Sequence, residues 1–411
     1  MKRTALWLLA LTFLFSTAYP SALADKQPTE IVMWSLFSGE DGSTMNQLVD
    51  NFNASQNDIH LTHIIIDYNN LITKIALSAG DDAASPHLFV SYASDIVYLS
   101  DLNYIQPIQP ALDAWDFDFS LERYNEACAI LNMYKDQRYA VTLDFPSVGI
   151  YANMDLVKQY CPDVLADEVV TWDEIKTVGA NLKEQGVENI HVLTSEWAMN
   201  DIIQSYLLFN QSWASEDAQT LELDRQAIIN GVQLWKDCYD AGYLWEEGDD
   251  CAGLFAQGES IFFTGGNWCM NAVREYGFDF VFRAAPQLDP ENVVMYGDAH
   301  SFMLPRRALN DKELSGIGRW IAYFYDHSID WADAGSLIAA KGPREDEAFD
   351  SLPQAYVANH YAPFVPPYKY TAILQNDVIN SFDWQPVYGY ITPEDFADAI
   401  IKQTNEKTAV K

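Results

Sequence analysis

The sequence predicts an α/β protein of two lobes with a cleft between them. Three observations carry this expectation. Strand-like and helix-like stretches alternate from about residue 30, the alternation restarts near Arg138, and no Gly/Ser/Pro-rich tether separates the two runs. A chain of 411 residues is long enough for two domains.

Residues 1–24 stand apart from that pattern. Lys2 and Arg3 precede an apolar stretch from Ala5 to Phe15 broken only by Thr12, and Ala22-Leu23-Ala24 has the small-x-small form that a signal peptidase reads. The stretch is too short to span a bilayer. The mature chain is therefore expected to begin at Asp25. No cysteine lies at the cleavage site, the first being Cys128, so a lipid anchor has no attachment point. The expectation is a freely soluble periplasmic protein.

Glu30 to Phe37 reads as the first strand. The Gly-Glu-Asp-Gly turn at 39–42 opens a helix whose Met45, Leu48, Val49 and Phe52 recur at helical spacing. Ile59 to Asp67 is a second strand, Leu71, Ile72, Ile75 and Ala76 mark a helix ending at Gly80, and Leu88 to Tyr92 is a third strand. Such βαβαβ alternation predicts a parallel sheet with right-handed crossovers. The second run has extended stretches at 139–143 and 148–152, then a helix from a Thr171/Glu174 capping box to Gly186. A strand at 190–193 follows, with helices at about 199–210 and 225–241. Glu259 to Thr264 is a strand running through Gly265-Gly266 into a helix. Extended segments at 280–286 and 293–304 precede a helix at 311–326, and Thr392-Pro393-Glu394 starts the last one. The stretches 139–146 and 284–298 are the expected hinge, because the chain must cross between lobes in ordered segments.

The formal charge is −35 and becomes two units more negative when Lys2 and Arg3 are removed, which disfavours nucleic acid and anionic lipid as partners. Five cysteines, Cys128, Cys161, Cys238, Cys251 and Cys269, leave at least one without an intrachain partner. One or two disulfides, or buried free thiols, are the alternatives. The seven histidines form no zinc-like cluster, so neither a metal nor another cofactor is expected.

The order of motifs resembles the extracellular solute-binding proteins of bacterial ABC importers (family 1), in the carbohydrate-binding branch that includes maltose-binding protein. The resemblance runs over nearly the whole mature chain. It is carried by Ile31-Val32-Met33-Trp34 leading into Phe37-Ser38-Gly39-Glu40-Asp41-Gly42, and by Tyr68-Asn69-Asn70-Leu71. It continues in Tyr139 to Asp144, Tyr151 to Asp155, Thr171-Trp172-Asp173-Glu174, Phe255 to Ser260, Gly265-Gly266-Asn267-Trp268 and Gly297 to Phe302. Ser85-Pro86-His87 stands where many relatives have a Pro-Asp pair. The resemblance implies a type II periplasmic-binding-protein-like fold with several inter-lobe crossovers. It also implies a monomeric clamp that binds a carbohydrate and presents it to a membrane permease. The lobes are expected at 25–142 with 287–327, and at 143–286 with 328–411.

A sugar presents C–H faces and a girdle of hydroxyls, so its site needs aromatic platforms and planar polar side chains. Sites of open α/β sheets lie beyond the carboxyl ends of strands. That rule selects Ser38 and Asp41 after the first strand, Tyr68 after the second and Tyr92 after the third. Asp144 at the first crossover is expected to accept hydrogen bonds from the solute and to add little to stability; capping a turn before Pro146 is its ordinary alternative. Trp197 and Trp268 follow later strands, where core packing is the usual role of a lone tryptophan, and Gly266 lets the backbone approach closely at Trp268. Asp298 and His300 stand at the other crossing and Arg344 in a loop after Gly342-Pro343, with buried-backbone or surface roles as alternatives. Trp34 is assigned to core. Two rival functions remain: a binding protein for a polyamine or glycerophosphodiester, which the acids Asp41, Asp144 and Asp298 suit in the first case, and a glycoside hydrolase. No motif selects the carboxylate pair that a hydrolase needs, and no Gly-x-Ser-x-Gly elbow is present.

Overall fold

The computed structural model describes residues 27–120, 122–363 and 367–409, so the expected signal segment lies outside the described residues. Its strands in chain order are β1 Thr29–Ser35, β2 Ile59–Ile65, β3 Leu88–Tyr92, β4 Ile105–Gln106, β5 Met133–Tyr134 and β6 Gln137–Arg138. They continue as β7 Ala140–Asp144, β8 Val148–Asn153, β9 His191–Ser195, β10 Ser260–Gly266, β11 Phe280–Ala284 and β12 His300–Pro305. Two principal sheets form, one on each side of a cleft. The first has the order β2-β1-β3-β12-β4 with β7 also on β12, and the second has the order β11-β8-β10-β9.

Sequence patterning explains where these strands sit. Every residue of β8 and β10 is buried, as expected when helices cover both faces of a sheet. The helix Gly39–Ala54 buries Met45, Leu48, Val49 and Phe52 on its apolar stripe. The capping box at the helix Trp172–Glu184 forms as read: Thr171 Oγ1 accepts from the Glu174 N–H at 3.2 Å, and Glu174 Oε2 accepts from the Thr171 N–H at 2.8 Å. Thr392 likewise caps the helix Pro393–Thr408. Trp34 is half-buried against the first core.

The three strands read as βαβαβ do pair in parallel, but the complete sheets are mixed. β1 pairs parallel with β2 and β3, but β12 runs antiparallel to β3 and β7. In the second sheet β10 is parallel to β9 and antiparallel to β8, which is itself antiparallel to β11. The reason is that β8 and β12 are entered directly from the other sheet rather than by a helical crossover.

The crossings lie side by side. Residues 145–147 join β7 to β8 and residues 285–299 join β11 to β12. Val148 donates to the Tyr296 carbonyl at 3.0 Å and Asp298 N–H to the Pro146 carbonyl at 2.9 Å. A later segment joins them, for Phe145 N–H reaches the Leu337 carbonyl and Ala339 N–H the Leu143 carbonyl, both at 2.9 Å. The expected strand over 293–304 is regular only from His300. Helix Ser328–Asp333 packs on the first core, where Trp331 lies 4.8 Å from Phe37 between ring centroids.

All five cysteines are free. Burial pushes the thiols of Cys161, Cys238 and Cys251 up to about 12, which keeps them protonated and unreactive.

Candidate functional site

A cavity of about 760 Å³ opens between the two sheets where the crossings run. Ser38, Asp41, Tyr68, Tyr92, Trp197, Trp268, Asp298 and His300 all line it. The end of β1 and the first turn of the helix behind it supply Ser38 and Asp41, and the ends of β3 and the start of β12 supply Tyr92 and His300. The facing wall is built from the segments after β9 and β10.

Trp197 and Trp268 form a corner on that wall, with ring centroids 6.3 Å apart and planes at 86°. They are 45% and 38% exposed, which is high for indoles in a chain that buries most of its tryptophans. Their supports are buried. Asp201, 1% exposed, accepts from Ser195 Oγ and from Thr264 Oγ1, the latter at 2.9 Å, tying the ends of β9 and β10 together. Ser195 Oγ in turn accepts from the Trp197 N–H at 3.2 Å. Gly266 does not line the cavity. A Cβ there would sit 2.2 Å from the Trp268 ring, so its contribution is to let that ring fold back over the strand end.

On the opposite wall Tyr68 donates to Asp95 Oδ1 at 2.9 Å while Ser91 Oγ donates to Oδ2 at 2.6 Å. Tyr68 and Tyr92 meet edge to face at 5.1 Å. Asp298 reaches the cavity, but its oxygens already accept from Ser94 N–H at 3.2 Å, Ser94 Oγ at 2.5 Å and Ala299 N–H at 2.8 Å.

Besides Gly266, two further expected site residues lie elsewhere. Asp144 is 2% exposed and sits behind His300, where Oδ1 bonds His300 Nδ1 and Oδ2 accepts from Trp331 Nε1, each at 2.8 Å. Both oxygens are occupied by the fold, so the residue that faces the cavity is His300. Arg344 donates to the carbonyls of Ala358 and Ile338, away from the cavity, and burial holds its guanidinium down at about 10. Among residues the sequence did not single out, Glu40, Asn200, Glu275, Tyr296, Gln375 and Asn376 also line the cavity. Glu40 lies in the same turn as Asp41 and could have been found there. Gln375 and Asn376 arrive on the π-helix Ile373–Val378, far from any strand end.

Several buried groups around the cavity are biased toward protonation. Burial raises Asp41 to about 6, aided by the charges of Asp144 and Glu40 against that of His300. Burial also raises Asp95 and Asp201 to about 7 despite their hydroxyl donors. Burial opposes a charged His300, yet Asp144, Asp41 and Asp298 outweigh it and hold the imidazole above its ordinary value.

These directions predict a pH dependence. An aspartate at 3.8 in the unfolded chain and near 7 when folded makes the folded state bind more protons across that window, so stability falls as pH rises from about 4 to 7. The contribution of His300 is present below about 6.5 and lost as pH rises through its raised folded value. Burial lowers His63 to about 4 and, with Arg307, lowers His87, and both act the other way as pH falls below 6.5. Asp41, Asp95, Asp201, Asp298 and His300 against two histidines give an expected melting temperature higher near pH 5.5 than near pH 7.5, read by calorimetry, with Asp95→Asn flattening the slope.

Comparison with known proteins fits this geometry. The family described as bacterial extracellular solute-binding protein matches residues 47–342. The chain belongs to that family. No curated protein sequence matches it significantly. Among solved structures it is similar to the cyclic α-maltosyl-1,6-maltose binding protein of Arthrobacter globiformis, at TM-score 0.72 and 17% identity, covering 92% of this chain and 98% of that one. The substrate-binding protein Lmo0181 of Listeria monocytogenes, in complex with cycloalternan, gives 0.70 and 16% over 93% and 99%. Maltose-bound MalE3 of T. maritima gives 0.71 and 16% over 91% and 98%. The fold is thus the two-lobe form of this solute-binding family. No described helix is long and apolar enough to cross a membrane.

Proposed function

We propose that the chain is the periplasmic receptor of a bacterial ABC importer, exported by a signal cleaved after Ala24. In this reading it binds a sugar or oligosaccharide between its lobes as a non-catalytic monomer and delivers it to the permease. The observation that carries the reading is the indole corner of Trp197 and Trp268, with Asn200 beside it, facing Tyr68, Tyr92 and His300 across one cavity. Such a corner offers two apolar plates to pyranose faces while the polar groups meet the hydroxyl edge. The saccharide for which the first similar structure is named, and the cycloalternan and maltose bound in the other two, support it. The bodies that close are taken as 25–142 with 287–327 and 143–286 with 328–411, with helix Ser328–Asp333 riding on the first. A glycerophosphodiester is disfavoured because no lysine or arginine lines the cavity among the described residues.

The test is a thermal-shift screen of the mature chain against mono- and oligosaccharides, followed by chromatography of the bound sugar. A clamp that binds only when folded gains stability by mass action, about 2.7 kcal/mol at a hundredfold excess over Kd. A saccharide that raises the melting temperature, is recovered intact and still binds after chelation is the expected result. Recovery of cleaved sugar, or binding lost to a chelator, overturns the reading.

A further inference from the structure

The charge of the cavity wall deepens the saccharide reading and rests on it. Four carboxylates line the cavity, those of Glu40, Asp41, Glu275 and Asp298, against one basic side chain, His300. The imidazole is already matched by Asp144, with which its Nδ1 makes a 2.8 Å contact. Asp298 has its three short donors. Asp41, Glu40 and Glu275 make no side-chain hydrogen bond to any described residue. Glu40 comes from the helix Gly39–Ala54 and Glu275 follows the helix Met270–Arg274, on opposite sides of the cleft, and both also line the adjoining groove with Asp330 and Asp333. Arg274 shares that groove, but its guanidinium is turned to the Asp333 carbonyl at 2.5 Å and to Asn271 Oδ1 at 3.0 Å.

Closing two lobes over a solute removes water from these carboxylates and brings like charges together. A neutral sugar can donate hydroxyls to them but leaves their charge uncompensated in a drier site, which is costly. A cation removes that cost. Polar groups for the remainder of a sugar are also present. Asn200 is 6% exposed, lines the cavity and has no side-chain partner among the described residues, and His300 Nε2 is likewise unpartnered. Gln375 uses its amide nitrogen on Tyr296 Oη at 3.2 Å and leaves its oxygen free.

We propose that the saccharide carries a basic amine, and that its ammonium sits against Asp41 between Glu40 and Glu275 while a pyranose face stacks on the Trp197–Trp268 corner and Asn200 takes hydroxyls. Glucosamine-type rings, singly or as short oligomers, are the substrate class.

Isothermal titration of the mature chain tests this with sets matched in ring and length: chito-oligosaccharides with free amines, their N-acetylated forms, and cello-oligosaccharides, together with the three corresponding monosaccharides. Spermidine serves as a cation without a ring. The amine arm is expected to bind at least tenfold more tightly than either neutral arm, and the preference is expected to shrink in 0.5 M salt and in Glu40→Gln, Glu275→Gln and Asp41→Asn. Glu40 and Glu275 are exposed, so their variants fold and remain informative. Neutral arms that bind as tightly as the amine arm overturn the inference and leave the saccharide reading standing. Spermidine binding with no saccharide binding, or no binding in any arm, counts against both.

Discussion

Replacing Trp197 and Trp268 together by alanine is expected to weaken saccharide binding about a hundredfold while the melting temperature of the unliganded chain scarcely moves. Each indole should contribute on the order of 1.5 kcal/mol through buried apolar area and C–H contact with a ring face, and every 1.4 kcal/mol is a factor of ten in affinity. Single variants should therefore lose about tenfold. The rings touch each other at right angles, so any departure of the double variant from the sum of the singles measures their coupling. Stability should survive because the rings are 45% and 38% exposed and stand outside the second core. Titration gives the affinities and calorimetry the stability. A fall in melting temperature with affinity intact in the folded fraction would show that the corner is structural.

Much of this arrangement is legible along the chain, and the reason is local. Where a strand is followed by a glycine-marked turn and an amphipathic helix, as at β1 with Gly39 or β10 with Gly265 and Gly266, the pattern places the strand end and hence the residues just after it. Ser38, Asp41 and Trp268 are placed in this way, Tyr92 and Trp197 by the strand ends alone, and the sequence bounds β3 at Leu88 and Tyr92. The illegible parts depend on partners that sequence spacing does not reveal. Val293 to Tyr296 has the composition of a strand, but its backbone is held by glutamine side chains. Val294 N–H reaches Gln287 Oε1 at 2.8 Å, and Tyr296 N–H reaches Gln204 Oε1 at 2.6 Å. These amides stand in for a neighbouring strand, so the segment crosses between lobes without extending either sheet. The two-residue strands and the π-helical turn that carries Gln375 and Asn376 have no periodic signature at all. Asp144 shows the same limit in one residue: its position at a crossover was readable, whereas its indole partner comes from Trp331, 187 positions later.

That partnership makes Asp144 the residue whose loss should be felt most in stability, reversing what its sequence context suggested. In Asp144→Ala the indole N–H of Trp331 and the Nδ1 side of His300 are both left buried without an acceptor. Trp331 is 1% exposed and His300 7%, so water cannot replace the carboxylate without opening the crossing segments. Removing one member of a buried charged pair typically costs about 3–5 kcal/mol, and that is the expected loss. Asp144→Asn is gentler because the amide oxygen can still accept from Trp331 while its NH2 donates to a neutral His300 whose proton has moved to Nε2. The expected cost is then about 1–2 kcal/mol, the difference between a charged and a neutral hydrogen bond. The same substitution removes the leading attraction that raises His300, so its titration, followed by NMR of the imidazole, should move down. The solute affinity of the folded Asn variant should change less than its stability, since the amide never reaches the cavity and acts only through His300. A large loss of affinity with stability and the His300 titration unchanged would mean that Asp144 meets the solute directly, through a rearrangement of the wall in which Trp331 and His300 surrender it.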